Sequence, residues 1–235
     1  LNYLYLNKKE DAIVEARRIS LQTQQQGDKY NDKANRYSKD AFSMIMQGAL
    51  YESNWDVNNA FIAYRNALEV FESSPNKVHY GVLLPEQLKW DLLRTAYLNG
   101  FSSDVDFYER KFNLKYQAKP VSEGGELLLF WENGFAPIKD QQEFFFALLR
   151  GAGGVFYFSD PSGQITFPFT DASTINNMGA VDLNEFRSIR VTFPKYIPQP
   201  TYYKSAAVSI DNSAAINLEL VEDINTLAIQ NLKER

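Results

Sequence analysis

One imidazole is available for chemistry in this chain, His79, and there is no cysteine among its 235 residues. A thiol nucleophile, a thiolate metal site and a disulfide are thereby excluded. A zinc or iron site, or a triad of serine, histidine and acid, would depend on His79 alone. His79 stands beside Lys77 and Tyr80 in a loop-like stretch, which reads as structural. Among the acids, two of Glu132, Asp140 and Glu143 could serve as general acid and base. Their spacing does not require it, and they read as solvated loop acids. Gly151-Ala152-Gly153-Gly154 is rich enough in glycine for a phosphate loop, but a strand pattern follows it and no Lys-Ser or Lys-Thr does. It reads as a flexible bend. No cofactor and no metal site is expected.

The elements that would position any such group are organised around residues 41–72. Phe42, Ile45, Met46, Ala49 and Leu50 recur at helical spacing, and so do Val57, Ala60, Phe61, Tyr64, Ala67, Leu68 and Phe71. Between them Ser53-Asn54-Trp55-Asp56 predicts a tight reversal, with Asn54 in the left-handed conformation that ends a helix and Asp56 capping the next one. So short a connection makes the two helices antiparallel neighbours. Gly48, Ala60 and Ala67 let the axes approach, and Tyr51 and Tyr64 fill the space around them. The spacing Gly48, Tyr51, Ala60, Tyr64, Ala67, with Asn54-Trp55-Asp56 as the turn, resembles a tetratricopeptide repeat.

Residues 1–23 place Tyr3, Ala12, Ala16 and Ile19 at similar offsets, which predicts the end of one helix and the whole of a second, an earlier repeat entered midway. Residues 22–38 are polar and bridge to the central repeat as an extended helix or a loop. Ser73-Ser74-Pro75-Asn76 ends the central hairpin. Pro85 then opens a helix carrying Leu88, Leu92, Leu93, Ala96 and Tyr97, which Asn99-Gly100 stops. Ser103 or Asp104 is expected to cap a last short helix with Val105, Tyr108 and Phe112, completing a degenerate third repeat. The pattern changes near Lys119-Pro120. Leu127-Leu128-Leu129-Phe130 reads as a strand buried on both faces, and residues 141–149 suit helix or strand. Residues 155–158 and 164–169 flank Asp160-Pro161-Ser162-Gly163 as a hairpin. Residues 189–193, 206–210 and 214–218 alternate as strands, and residues 221–233 close the chain as a helix with Ile224, Leu227, Ala228 and Leu232 on one face. The expected class is α+β: tetratricopeptide-like helical hairpins over residues 1–118, then a predominantly antiparallel β domain over residues 119–235 ending in a helix.

A net charge of −5 with both signs interspersed offers no basic stripe for nucleic acid. Lys8, Lys9, Arg17 and Arg18 form a small cluster, read as a solvated helix face. No run approaches the roughly 18 to 20 apolar residues of a membrane span. Leu1-Asn2-Tyr3 looks like neither a signal peptide nor a Met start, which suggests a fragment or a processed form. Residues 125–139, GELLLFWENGFAPIK, are similar to a family of bacterial envelope lipoproteins of uncharacterised activity, some encoded near activators of cell-wall synthases. Pro194-Lys195-Tyr196 ahead of Pro198 and Pro200 fits the same family, as does Leu220-Val221-Glu222-Asp223-Ile224 entering the last helix. Glu132, Asn133, Gly134, Pro137 and Lys139 fall in its signature. The resemblance implies a periplasmic or outer-membrane-associated lipoprotein, held to the membrane only through a lipid anchor upstream of residue 1. The function expected is a non-catalytic protein-binding scaffold of the cell envelope. Its groove, on the first helix of the central repeat, would present Phe42, Ile45, Ala49, Glu52 and Ser53 to a protein or peptide partner, either an amphipathic helix or an extended chain. This face lacks the lysine and asparagine with which some tetratricopeptide grooves clamp a terminal carboxylate. The alternative is a cell-wall-active hydrolase with paired carboxylates in the β-rich half.

Overall fold

A computed structural model describes residues 2–29, 40–118, 127–150, 156–169, 188–211 and 213–233. Helices α1 (Asn2–Tyr5), α2 (Lys9–Lys29), α3 (Ala41–Ser53), α4 (Val57–Ser73), α5 (Glu86–Leu98) and α6 (Ser102–Phe112) come first. From α1 to α6 each packs on the next in sequence. Between α4 and α5, β1 (Val78–His79) and β2 (Val82–Leu83) pair antiparallel. Strands β3 (Ile138–Arg150), β4 (Phe156–Ser159), β5 (Thr166–Phe169) and β6 (Ser188–Ile197) form an antiparallel sheet in the order β5-β4-β3-β6. A short ribbon of β7 (Ala207–Val208) and β8 (Ile216–Asn217) precedes α7 (Ile224–Lys233). The chain is thus mixed helix and sheet, with helices first, antiparallel sheets later and a helix at its C-terminal end.

Two compact units result, one of Leu1–Ala136 with Pro198–Arg235 and the other of Pro137–Ile197. This partition differs from the cut at residues 118 and 119 that the change in pattern suggests. The physical reason is where the flanking segments bond. The Gln87 N–H at the start of α5 donates to the Glu219 carboxylate at 3.2 Å, and a side chain on Gly81 of the β1–β2 turn would meet Thr226 of α7 at 3.4 Å.

The helical core is built on small residues facing large ones. Ala60, Ala67, Leu92, Leu93 and Ala96 are fully enclosed, with Tyr64, Phe71 and Leu88 around them. A methyl on Gly48 would lie 2.3 Å from Cε1 of Tyr64, so the ring occupies the space a larger residue would need. On α2 the buried face is Ala12, Ile13 and Ala16, while Ile19, expected on it, is exposed. The bridge over residues 22–38 starts as a continuation of α2 to Lys29, and its remainder falls outside the described residues.

Successive hairpins are closed by one device. After α1, α3, α5 and α6 the chain turns through a single left-handed residue, respectively Asn7, Trp55, Gly100 and Asn113. The N–H one residue further on donates back to the carbonyl five positions earlier, as Asp56 does to Tyr51 at 2.9 Å and Phe101 to Ala96 at 3.0 Å. The left-handed residue after α3 is therefore Trp55, not Asn54, whose φ is −103°. Asp56 does cap α4, accepting from the Asn59 N–H at 3.3 Å. Neither Ser103 nor Asp104 caps α6, because the closure at Gly100 lets that helix begin at Ser102, with Phe101 as its N-cap.

In the sheet unit, residues 141–149 resolve as strand, and the hairpin around residues 160–163 forms as expected, Phe158 facing Phe167. Phe144, Phe146, Phe167 and Phe193 share one face, with ring centroids 5.6–6.5 Å apart in successive pairs. The other face carries Lys139, Glu143 and Arg190, the last two 3.8 Å apart. Both outer strands contain a proline, Pro168 in β5 and Pro194 in β6, a residue without an N–H to offer a further strand. The run Leu127-Leu128-Leu129-Phe130 is not a buried strand. It belongs to no helix or strand and is exposed, and Phe130 alone of the four is partly covered. The last helix starts at Ile224 rather than residue 221, because Asp223 accepts from the N–H groups of Asn225 and Thr226 at 3.0 and 3.1 Å.

Candidate functional site

The five candidate groove residues do fall together on α3, but much of that face is engaged within its own unit. Phe42 meets the Phe130 ring edge-on at 6.1 Å. Ile45 packs against the helical core, and Ala49 is half-buried. Glu52 accepts from Arg94 of α5, through Nε at 2.6 Å and Nη2 at 2.8 Å, and from the Tyr64 hydroxyl at 3.1 Å. Ser53 is exposed; its hydroxyl donates to the Leu50 carbonyl at 2.8 Å, and its own carbonyl accepts from Lys9. Of the packing residues, Gly48, Ala60, Tyr64 and Ala67 are buried, and the Tyr51 hydroxyl accepts from Arg17 Nε at 3.1 Å.

Arg94 is the centre of this region. It also donates to Asp91 at 2.7 Å, and Asp91 accepts from Gln87 at 2.8 Å. Burial pushes the Asp91 carboxyl up, and Arg94 pulls it back. Burial opposes the guanidinium charge, but its bond to Glu52 and the charges of Asp91 and Glu52 hold Arg94 above its usual range. Burial, then the Asp91 and Glu52 charges, push the Tyr64 phenol far up, so it stays protonated and donates to Glu52. One cation, two carboxylates and a phenol thus staple α3, α4 and α5 together. Asp91 and Arg94 are legible as a helical i, i+3 pair, whereas nothing in the sequence joins Glu52 to them.

A second acid pair lies in a cleft lined by Asp40, Phe42, Phe71, His79, Glu222 and Leu227, among others. Its space suits about one water molecule. Burial, and then the charge of Asp40, raise the Glu222 carboxyl to about 7. No hydrogen bond or ion pair reaches that carboxyl among the described residues. Asp40 is already committed as the cap of α3, accepting from Phe42 and Ser43 at 3.1 and 3.0 Å. His79 pairs with Val82 in the β1–β2 ribbon, 3.0 Å from the Ser74 hydroxyl and packed on Phe71 and Tyr80. Sequence reasoning missed Glu222 and Asp40 because their proximity is purely tertiary.

Glu132 is exposed, and Asp140 and Glu143, three apart on β3, point to opposite faces. Residues 151–154 lie outside the described residues. Among the described residues no group of three or more histidine or acidic side chains could hold a metal, and no helix is long and apolar enough to cross a membrane. The signature segment has a structural role: Asn133 Nδ2 donates to the Tyr203 carbonyl at 2.8 Å. Gly134, at φ +87°, sits where a side chain would come 3.1 Å from Thr201 Oγ1. Pro137 and Lys139 lead into and lie on β3. Comparison with family models, curated proteins and solved structures gives no match.

Proposed function

We propose that this chain is a non-catalytic protein-binding scaffold of the bacterial cell envelope, built on a tetratricopeptide-like helical array. The observation that carries the reading is the repetition of one hairpin closure at residues 7, 55 and 100, each joining a pair of antiparallel helices that stack in chain order. Stacked hairpins of this kind present extended surfaces rather than pockets. The intervals of 48 and 45 residues exceed the 34 of a tetratricopeptide repeat; the long α2 and the β1–β2 insertion lengthen them. With Phe42 and Glu52 engaged, the face open to a partner is the hairpin end formed by Ser53, Trp55 and Leu98. Trp55 is 89% exposed there, and Asn99 bonds the Val57 carbonyl at 3.1 Å, drawing the two hairpin ends together. The envelope location, with any lipid anchor upstream of residue 1, follows from the resemblance of residues 125–139.

The hydrolase alternative has one observation in its favour, the raised Glu222 beside Asp40, which resembles an acid and carboxylate pair. The cleft's size counts against it, since a glycan must fit between the two carboxyls. The test is site-specific photocrosslinking from position 55 in cells, together with incubation of the pure chain on cell-wall sacculi. A discrete adduct with one envelope protein and no released fragments supports the scaffold. Fragment release that Glu222→Gln abolishes would replace it with the hydrolase.

A further inference from the structure

An apolar strip in the helical unit is left largely uncovered by the fold. Leu127, Leu128, Leu129, Trp131, Phe135, Tyr202 and Tyr203 are all more than two-fifths exposed, Phe135 at 80% and Tyr202 at 87%. The strip is nevertheless held in place. Phe130 rests on Phe42, Trp131 lies 6.4 Å from Tyr203, and Asn133 bonds the Tyr203 carbonyl. Its four exposed rings, at about 200 Å² for a whole aromatic side chain, leave on the order of 500 Å² of aromatic surface uncovered. Leu127 and Leu129, which share a side with Trp131 in a paired strand, bring the strip near the roughly 800 Å² that each partner gives to a stable complex.

The backbone narrows the occupant. Residues 127–131 belong to no helix, strand or turn, and among the described residues their N–H and C=O groups take part in no backbone hydrogen bond. A lipid surface would cover the side chains but supply no partners for these groups. A docked helix has its own backbone satisfied and would leave them equally unmet. An extended strand meets both demands, and the same segment of a second copy is such a strand, free of charge through residues 127–131. Two-fold symmetry then pairs each segment with itself in antiparallel fashion and closes the assembly at two. We propose that two copies of this chain associate through residues 127–135 with Tyr202 and Tyr203, forming a two-fold dimer by antiparallel pairing of residues 127–131. Glu132 beside the strip and the net charge of −5 per chain oppose the association, so added salt tightens it.

Light scattering over a concentration series tests this. The 26.9 kDa chain should approach twice its mass at tens of micromolar, with the midpoint falling as salt is added. Leu127→Asp with Leu129→Asp, both at exposed positions, should raise that midpoint at least tenfold while circular dichroism stays unchanged. Because the chain has no cysteine, a single thiol at 127, 128 or 129 is diagnostic. At least one of the three should give an oxidised dimer under conditions where Asn58→Cys, on the exposed side of α4, gives none. A chain that stays monomeric to about 100 μM, open-ended growth beyond two copies, capture on phosphatidylcholine vesicles as a monomer, or no crosslink at any of the three positions overturns the proposal. A monomeric result leaves the scaffold reading standing, because the crosslinker at position 55 lies outside the strip.

Discussion

Trp55 is the residue at which sequence and conformation disagree most. Four helices end through a left-handed residue, and at three of them that residue is asparagine or glycine, which tolerate the conformation. The fourth is a tryptophan at φ +60°, with its ring almost wholly in solvent. Ser53-Asn54-Trp55-Asp56 suggests Asn54 for this role on propensity alone. The register is set instead by Asp56, which must both return its N–H to the Tyr51 carbonyl and cap α4. Only Trp55 is left to turn. A non-glycine residue in this conformation costs roughly 1–2 kcal/mol, and an exposed ring returns little packing to offset it. Trp55→Gly is therefore expected to stabilise the helical unit by about 1 kcal/mol, after glycine's extra freedom in the unfolded chain is subtracted. In thermal unfolding that is a rise of about 2–4 °C. A variant that melts at or below the wild-type temperature would show that the indole is held by contacts. Strain retained at an exposed aromatic is what a recognition residue looks like, which is why the photocrosslinker belongs there.

At the scale of elements, periodicity located α3, α4, α5 and the β4–β5 hairpin because each carries its own pattern and its own turn residues. It misplaced residues 127–131 for a physical reason: a continuous apolar run is the mark of a doubly covered strand only if something covers it, and the described strands of the sheet unit pair with one another instead. Equally hidden was the attachment of the C-terminal segment, in which Glu222 and Asp40 meet across the chain. Its pH dependence follows from the raised carboxyl. The folded chain holds the Glu222 proton more tightly than the unfolded one, whose carboxyl titrates near 4.5. The stability contribution is thus greatest below that value and declines as pH rises through about 7. Asp40, Asp223, His79 and Tyr80 face the same cleft, so the difference between wild type and Glu222→Gln is the quantity to follow. The variant should match wild type near pH 4 and exceed it at pH 8 by no more than roughly 1–2 kcal/mol, the half-exposed position screening the rest. Urea titrations at pH 4, 6 and 8 measure this. A gap that does not widen with pH would place the Glu222 carboxyl in solvent.

The whole molecule joins two units of unequal construction. Composition reveals the change from helix to strand near residue 119, but not that the chain leaves the helical unit at Ala136 and returns at Pro198, because the return rests on single contacts such as Gln87 with Glu219 and Asn133 with Tyr203. The helical unit encloses Tyr64, Leu68, Phe71, Leu88, Leu92 and Leu93 almost completely. In the sheet unit, Ser159 is the one buried side chain among the described residues, and Phe144, Phe145, Phe146, Phe156, Phe158, Phe167 and Phe193 are half-buried or exposed. Burial of apolar surface is the main favourable term in folding, so the sheet unit should unfold first. All three tryptophans, Trp55, Trp90 and Trp131, belong to the helical unit, and Trp90 packs against its core. Tryptophan fluorescence therefore reports one unit, whereas amide hydrogen exchange reports both. In a urea series, amides of β3 and β6 should lose protection at a lower concentration than that at which the fluorescence changes, and amides of α4 and α5 should lose theirs together with it. If protection in β3 and in α4 disappears at the same urea concentration, the two units unfold as one and the separation fails.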